Sequence, residues 1–356
     1  MSTRSLIILV IVGVIVLAGG WYFGPASVPG EQRSVYAGKL MFPDLAPKLQ
    51  KVARIEAMHQ GKTLTIARNG DHWGLTDRDG YPVQEAKLRT MLTALTELRL
   101  VEPRTSDPSQ YATLGVEDPN AKGSDSNLLR ALDGSGKVIL ALIVGHRRVR
   151  TAGNAPDQVY VRRPGDPQSW LAEGGLEVDS DPQLWLDRDI MNIDHSRIAK
   201  VSVSRGGEML EFDRTGDKFD LAVPAQHPKL DDYKVEDVSR ALELLTFEDV
   251  QRDGAAPGNA LGTSVFTTTD GLTITAQVFQ WPSDPLKPAD QGNIAARFNV
   301  TGVDKAKPEA ARLSALVNGW TYQLGSWKQK SLAPNLEDLE APPSAKPTAA
   351  AGAAKP

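Results

Sequence analysis

Five arginines lie close together in the sequence, and three of them form its densest basic cluster. Three lie within the segment GHRRVR, residues 145–150, and two close the segment QVYVRR, residues 158–163. Guanidinium groups pair with carboxylates and phosphates through forked hydrogen bonds, so a hairpin with five of them could bind anionic lipid or an acidic partner. The alternative is that they protect an exposed strand edge. The candidate interaction patch comprises Arg147, Arg148, Arg150, Arg162 and Arg163.

Motifs that would indicate catalysis are incomplete. Asp194, His195 and Ser196 are consecutive, but a catalytic triad requires residues that converge in space, and neighbours in an extended chain point apart. The segment DGSGKV, residues 133–138, lacks the first Gly and the final Ser or Thr of a phosphate-binding loop, and therefore predicts a hairpin turn. We predict no catalytic residue and no cofactor. A hydrolase that uses two facing carboxylates stays an alternative, because spacing alone does not reveal such a pair.

The sequence also lacks the patterns of a metal site. It has no cysteine, which excludes thiolate ligands and disulfides. The segment TDRDG, residues 76–80, lacks acidic residues that a calcium loop requires. The histidines do not show the spacing of metal ligands on a helix or strand. They are His59, His72, His146, His195 and His227.

Length and charge limit the class of protein. The 356 residues are enough for two domains. The 44 acidic and 40 basic residues are mixed and give a net charge of -4. A nucleic-acid-binding protein would show a basic excess or a basic stripe, so we predict no nucleic-acid partner.

Residues 52–75 and 198–221 align without a gap and share seven of 24 residues. Both segments alternate polar and apolar residues, which predicts three short antiparallel strands in each. Each is followed by a helical pattern, at residues 84–98 and 234–245. Asp-Gly pairs then predict a hairpin in each half. We therefore predict a duplicated unit.

The predicted fold class is α+β: an N-terminal transmembrane helix followed by two tandem repeats, each with an antiparallel sheet and a packed helix. A terminal helix is expected near residues 182–190 in the first repeat and near 307–318 in the second. The predicted boundaries are a cytoplasmic N-terminus at 1–5, a transmembrane anchor at 6–23, a linker at 24–47, a first repeat at 48–192, a second repeat at 193–340 and a disordered Ala/Pro tail at 341–356.

The N-terminal segment indicates where the protein is located. Residues 5–23 carry no charge, and this segment is just long enough to form a helix that crosses a bilayer. Arg4 precedes the segment and three aromatic residues close it, as at a membrane interface. We predict a single-pass protein of the inner membrane with its bulk outside the cytoplasm. A cleaved signal peptide is the alternative.

A series of short motifs connects this chain to a known family. They are WGL at 73–75, YATLGV at 111–116, VG at 144–145, VYVR at 159–162 and the closing segment at 320–339. In this order they resemble the DUF4340 family of bacterial envelope proteins, over most of residues 50–340. The second repeat departs from the pattern, because it offers only Ala260, Leu261 and Gly262 in place of the YxxLG motif.

The resemblance implies an exported, membrane-tethered protein that assists an envelope system, in some members a gliding-type ABC exporter. It supplies no catalytic residues. We therefore predict a non-catalytic accessory or scaffold protein whose partners are the inner membrane and an envelope or transporter protein. One alternative is a glycan- or lipid-binding protein that uses Trp170 and Trp281 in loops.

Overall fold

Antiparallel β-sheet dominates the structure. The computed structural model describes residues 37–148, 156–254, 257–282 and 292–342. Among these described residues, strand residues outnumber helical residues, 43% against 24%, and the strands form three sheets of nine, eight and two strands. The chain divides into two compact units, residues 1–65 with 85–180 and residues 66–84 with 181–356.

The nine-stranded sheet has the order β4-β3-β2-β1-β6-β7-β8-β9-β5. Its strands are β1 (Val52–His59), β2 (Lys62–Asn69), β3 (His72–Leu75), β4 (Tyr81–Pro82), β5 (Arg99–Pro103), β6 (Asn127–Asp133), β7 (Val138–Arg148), β8 (Gln158–Arg162) and β9 (Ser169–Glu173). The segment at 133–138 forms the hairpin between β6 and β7, as predicted.

The eight-stranded sheet has the order β13-β12-β11-β16-β17-β18-β19-β15. When β4 is left out, the strands of the first sheet follow the same order relative to their order along the chain. Strands β10 (Asp189–Met191) and β14 (Leu245–Thr246) form the third sheet. The eight strands are β11 (Ile198–Arg205), β12 (Glu208–Thr215), β13 (Lys218–Val223), β15 (Asp249–Arg252), β16 (Ala260–Thr268), β17 (Leu272–Gln280), β18 (Ile294–Gly302) and β19 (Trp320–Leu324).

Residues that are identical in the two aligned segments have equivalent places. Arg68 lies opposite Trp73 across β2 and β3, with its guanidinium 5.4 Å from the ring centroid. Arg214 lies opposite Phe219 across β12 and β13, at 5.1 Å. Both contacts are cation–π pairs. The turns between these strands contain Gly70 and Gly216, whose φ angles of 63° and 60° favour glycine.

Six α-helices occur in the described residues. They are α1 (Glu85–Glu97), α2 (Tyr111–Leu114), α3 (Asp232–Ser239), α4 (Lys307–Val317), α5 (Gln329–Leu332) and α6 (Leu336–Leu339). Helix α4 contacts β17 and β18 of the eight-stranded sheet, and it buries Ala310, Leu313 and Val317. Helix α1 buries Leu88, Met91 and Leu95, as its periodicity predicts.

The predicted α+β fold with a helix packed on each sheet is wrong. No described helix covers the nine-stranded sheet in the way that α4 covers the second one. The helical pattern identifies the buried face of α1 but not the element that covers this face. The helix expected near 182–190 is also wrong, because only Pro182–Leu184 form a 3-10 turn before β10 begins.

The predicted membrane anchor has no counterpart in the described structure. None of the helices within residues 37–342 that the structure describes is long and apolar enough to span a membrane. The predicted anchor at 6–23 lies outside the described residues, as does the tail from residue 343 onward.

Aromatic side chains form much of the core of the second unit. The Tyr81 ring lies edge-on to Trp320 at 4.9 Å and to Phe247 at 5.2 Å. Tyr322 lies 5.2 Å from Phe247 and 6.1 Å from Phe298. Burial raises the pKa of Tyr81 to about 12, so the phenol is neutral and contributes through packing and hydrogen bonding.

Candidate binding site

An open cavity of about 510 Å³ lies in the second unit. One wall comes from α3 and the turn that follows it, and the other from the segment after β19. Its lining combines three large apolar side chains with charges of both signs. The lining residues are Lys234, Asp237, Arg240, Glu243, Leu244, Trp327, Lys328, Lys330, Ser331, Asp338 and Leu339.

Local helix geometry directs the polar side chains toward this cavity. In α3 the side chain of Asp231 accepts a hydrogen bond from the Tyr233 N–H and begins the helix. Val235 and Val238 form its buried face, so Lys234 and Asp237 lie off that face. On the other wall, Asn335 and Asp338 form a capping box that begins α6.

Two exposed apolar residues mark the rim of the cavity. Leu244 is 76% exposed and Trp327 is 69% exposed. Leu244 also has a φ of 43°, a left-handed conformation that costs a non-glycine residue roughly 1–2 kcal/mol. Its N–H donates to Oδ1 of Asn192 at 3.0 Å. Leu245 then enters β14, so the surrounding structure imposes this backbone conformation.

Lys328 is a charged side chain buried beside the same cavity. It is only 8% exposed. Its Nζ donates to the carbonyl oxygen of Ala241 at 3.0 Å and lies 4.8 Å from the Trp327 ring centroid. Burial lowers the pKa of the Lys328 ammonium, and the charges of Asp237 and Glu243 offset only part of that effect.

An ionic network lies next to the cavity around His195. Its Nδ1 contacts Oε1 of Glu243 at 2.5 Å, and its Nε2 lies 3.0 Å from a guanidinium nitrogen of Arg240. Arginine can only donate, so Nε2 accepts and Nδ1 carries the proton toward Glu243. Partial burial raises the pKa of Glu243, but hydrogen bonds from His195 and nearby Arg240 lower it by more, and its pKa lies below its ordinary value.

This network is better suited to structure than to chemistry. Ligand atoms of Asp194, His195 and Glu243 lie within 4.8 Å of one another, close enough to hold a metal ion. However, Oδ1 of Asp194 accepts hydrogen bonds from the N–H and the hydroxyl of Ser196. Arg240 supplies the positive charge that a cation would bring, and it also occupies Nε2, the nitrogen that a general base would use.

The comparisons with known proteins identify the family of this chain. The model of a domain of unknown function, DUF4340, matches residues 73–262. The chain belongs to the DUF4340 family. The predicted resemblance is thus confirmed. No characterised protein and no solved structure matches the chain. The DUF4340 match includes Leu244 but ends before Trp327 and Lys328.

The predicted interaction patch of this DUF4340 protein has five arginines, and three of them come at the end of β7 or after it in the sequence. Arg147 forms ion pairs with Asp157, at 2.8 Å, and with Glu177. Arg148 is exposed at the last position of β7. Arg150 lies outside the described residues. The interaction patch therefore stays a prediction, and one of its members already has two acidic partners.

The other two predicted arginines contact neighbouring backbone. Arg162 donates from Nε to the carbonyl oxygen of Val116 at 2.9 Å and lies 4.4 Å from the Tyr111 ring centroid. Arg163 donates to the carbonyl oxygen of Met41 at 2.6 Å. These contacts use donors that an anionic partner would need, so they indicate a role in the fold for this pair.

The two tryptophans considered for glycan binding differ in environment. Trp170 lies within β9 and is 8% exposed, so its ring is unavailable for stacking on a sugar. Trp281 is half-buried and directly follows β17, and its backbone N–H donates to the carbonyl oxygen of Asn293. The glycan alternative therefore loses one of its two candidate rings.

The sequence did not single out Leu244, Trp327 or Lys328. A weak signal exists in LELLTF, residues 242–247, where an additional leucine follows the apolar helical pattern. Another lies in GSWKQK, residues 325–330, where a tryptophan stands among polar residues. Neither signal distinguishes exposure from burial, because this depends on the φ angle of Leu244 and on the turn that contains Trp327.

Proposed function

We propose that this DUF4340 protein is a non-catalytic accessory or scaffold protein that binds a partner protein at the cavity between Leu244 and Trp327. The observation that carries the proposal is the pair of exposed apolar side chains on one rim. Exposed apolar surface that is bordered by polar residues is typical of interaction sites. Tryptophan is also enriched among residues that dominate binding energy.

The strained leucine supports the same function. A backbone in the left-handed region destabilises the fold, and an exposed leucine gains little burial in return. A site that must present an apolar side chain to a partner accounts for both features. The blocked Nε2 of His195 supports the non-catalytic part of the proposal, since it leaves this imidazole without a free acceptor.

We further propose that the protein acts outside the cytoplasm at the inner membrane, and that its partner is an envelope or transporter protein, such as the permease of an ABC-type exporter. The uncharged segment at 5–23 and the family motifs support this location. Protease treatment of spheroplasts tests it directly: digestion of the chain without lysis is expected, and full protection would contradict the proposal.

Site-specific crosslinking in cells tests the binding function. A photoreactive residue replaces Leu244, and in a matched control it replaces Met209, which is 57% exposed on β12 of the same unit. We expect one envelope or transporter protein to be captured from position 244 and not from position 209. Trp327→Ser should reduce that capture. An identical set of products from both positions, or no product, would contradict the proposal.

A further inference from the structure

Lys328 is a buried cation beside the cavity, and the proposed function does not yet use its charge. Burying an ammonium is unfavourable unless its donors are satisfied and its charge is compensated. Its Nζ makes one hydrogen bond, to the Ala241 carbonyl. No carboxylate lies within ion-pair distance of it among the residues that the structure describes. The ammonium therefore keeps donors and charge for a further group.

The other charges of the cavity are mostly paired. Lys234 donates to the carbonyl oxygen of Glu340 at 2.8 Å. Arg240 pairs with Glu243 at 3.1 Å, and Asp338 pairs with Arg205 at 3.1 Å.

Apart from Lys234, whose partner is a neutral carbonyl group, the lining charges without a short ion pair within the described part of the chain are Lys328, Lys330 and Asp237. The balance of this group is positive. Asp237 is exposed to solvent, so water screens its negative charge. The cavity therefore favours an anion, and the buried ammonium is where the anion would be least screened.

We propose that the cavity binds the C-terminal residue of the partner polypeptide, with its α-carboxylate on Lys328 and its apolar side chain between Trp327 and Leu244. This inference rests on the proposed function, because it specifies the partner's chemistry at the same site. Capture of a C-terminal carboxylate is a known mode of peptide recognition, in which backbone N–H groups surround the carboxylate. Here the buried ammonium of Lys328 takes the place of those donors.

The short distance between cation and ring selects this group. Nζ of Lys328 lies 4.8 Å from the Trp327 centroid, so the carbon atoms next to a carboxylate bound at Nζ would be within reach of the indole. In a C-terminal residue the carboxylate and the apolar side chain share one carbon, which matches this spacing. In an internal Glu, by contrast, the carboxylate is at the end of the side chain, and the nearest apolar side chain belongs to a different residue.

Peptide binding to the full chain tests the inference. The probes are acetyl-Gly-Ala-Leu-Phe with a free carboxylate and the same peptide with a C-terminal amide, measured by isothermal titration calorimetry. A charge-assisted hydrogen bond at a buried site predicts roughly tenfold or greater preference for the free carboxylate. Equal affinity of the two peptides, or no binding of either, would overturn the inference.

Two variants identify the responsible group. Lys328→Met keeps an apolar stem and should abolish the preference for the carboxylate. Lys305→Met removes the same charge from an exposed residue of the same unit that does not line the cavity, and should keep the preference. Equal loss in both variants would indicate general electrostatic attraction and overturn the role of Lys328. Thermal unfolding of each variant confirms that it is folded before titration.

The outcomes separate this inference from the proposed function. Capture of an envelope protein from position 244 without any carboxylate preference would leave the binding function intact and refute the chemistry. Carboxylate-dependent peptide binding without capture of a protein partner would support the carboxylate chemistry and contradict the proposed binding of an envelope protein. Dodecanoate serves as a third probe, and tighter binding of this fatty acid than of either peptide would overturn the choice of a polypeptide.

Discussion

Replacing Leu244 with Gly and with Ala should show that the conformation of Leu244 at the candidate site is held at the expense of stability. The φ of 43° costs a residue with a Cβ roughly 1–2 kcal/mol. Both variants lose the same side-chain contacts, and these are few because Leu244 is 76% exposed. Gly relieves the strain but has a more flexible unfolded chain, which costs roughly 0.5–1 kcal/mol relative to Ala. We therefore expect Leu244→Gly to be more stable than Leu244→Ala by about 0.5–1 kcal/mol.

The control for this comparison is an exposed position with ordinary helical geometry in the same unit. Ala311 lies on the exposed side of α4, and Ala311→Gly should destabilise the protein by about 1 kcal/mol. Equilibrium unfolding in urea, followed by circular dichroism, measures all of these variants. The reasoning is refuted if Gly is less stable than Ala at position 244 as well as at position 311.

Three further predictions concern charges near the cavity. The folded-state pKa of Lys328 lies below its ordinary value of 10.5. The stability of the wild-type protein should therefore rise relative to that of Lys328→Met as pH increases from this lowered pKa to 10.5. Parallel urea titrations of the two proteins from pH 7 to 10.5 check this, and both proteins keep Asp237 and Glu243, so these carboxylates do not cause the difference. Glu243 has a lowered pKa, so its contribution over Glu243→Gln, about 1–2 kcal/mol at pH 7, should disappear as pH falls through its folded-state pKa; a constant difference would contradict this. Since Arg240 already contacts His195, zinc and EDTA should leave the melting temperature unchanged, and a zinc-dependent rise that His195→Gln removes would show a metal site instead.

Local patterns in the sequence predicted local structure well. Asp133 precedes Gly134, and the chain turns there between β6 and β7. Asp270 precedes Gly271, whose φ is 93°, and the chain turns between β16 and β17. Such turns depend on the backbone freedom of a few consecutive residues. The buried face of α1 was likewise predictable, because helical spacing alone determines which residues share a face.

Features that depend on distant contacts were not predictable. Periodicity does not reveal what covers α1, and this is why the expected helix on each sheet was wrong. Residues 182–190 carry apolar side chains in a pattern that also suits a turn and a short strand, and pairing of β10 with β14 decides between them. The cavity was missed for the same reason: Ala241 and Lys328 are 87 residues apart, and only the fold brings the ammonium to this carbonyl.

The two large sheets differ at the place where the candidate site lies. After β19 the chain continues through the turn at Ser326–Lys328 and through α5 and α6, and these supply Trp327, Lys328 and Lys330 to the cavity. After β9, the equivalent strand of the first sheet, no α-helix occurs among the described residues before β10. The shared strands carry the common arginine–aromatic pairs, which stabilise a hairpin in both sheets. A cavity built from a segment that follows only the second sheet can change its side chains without disturbing those strands. For this reason we expect binding specificity in this protein to lie in residues 326–339 and in the Leu244 turn rather than in the sheets.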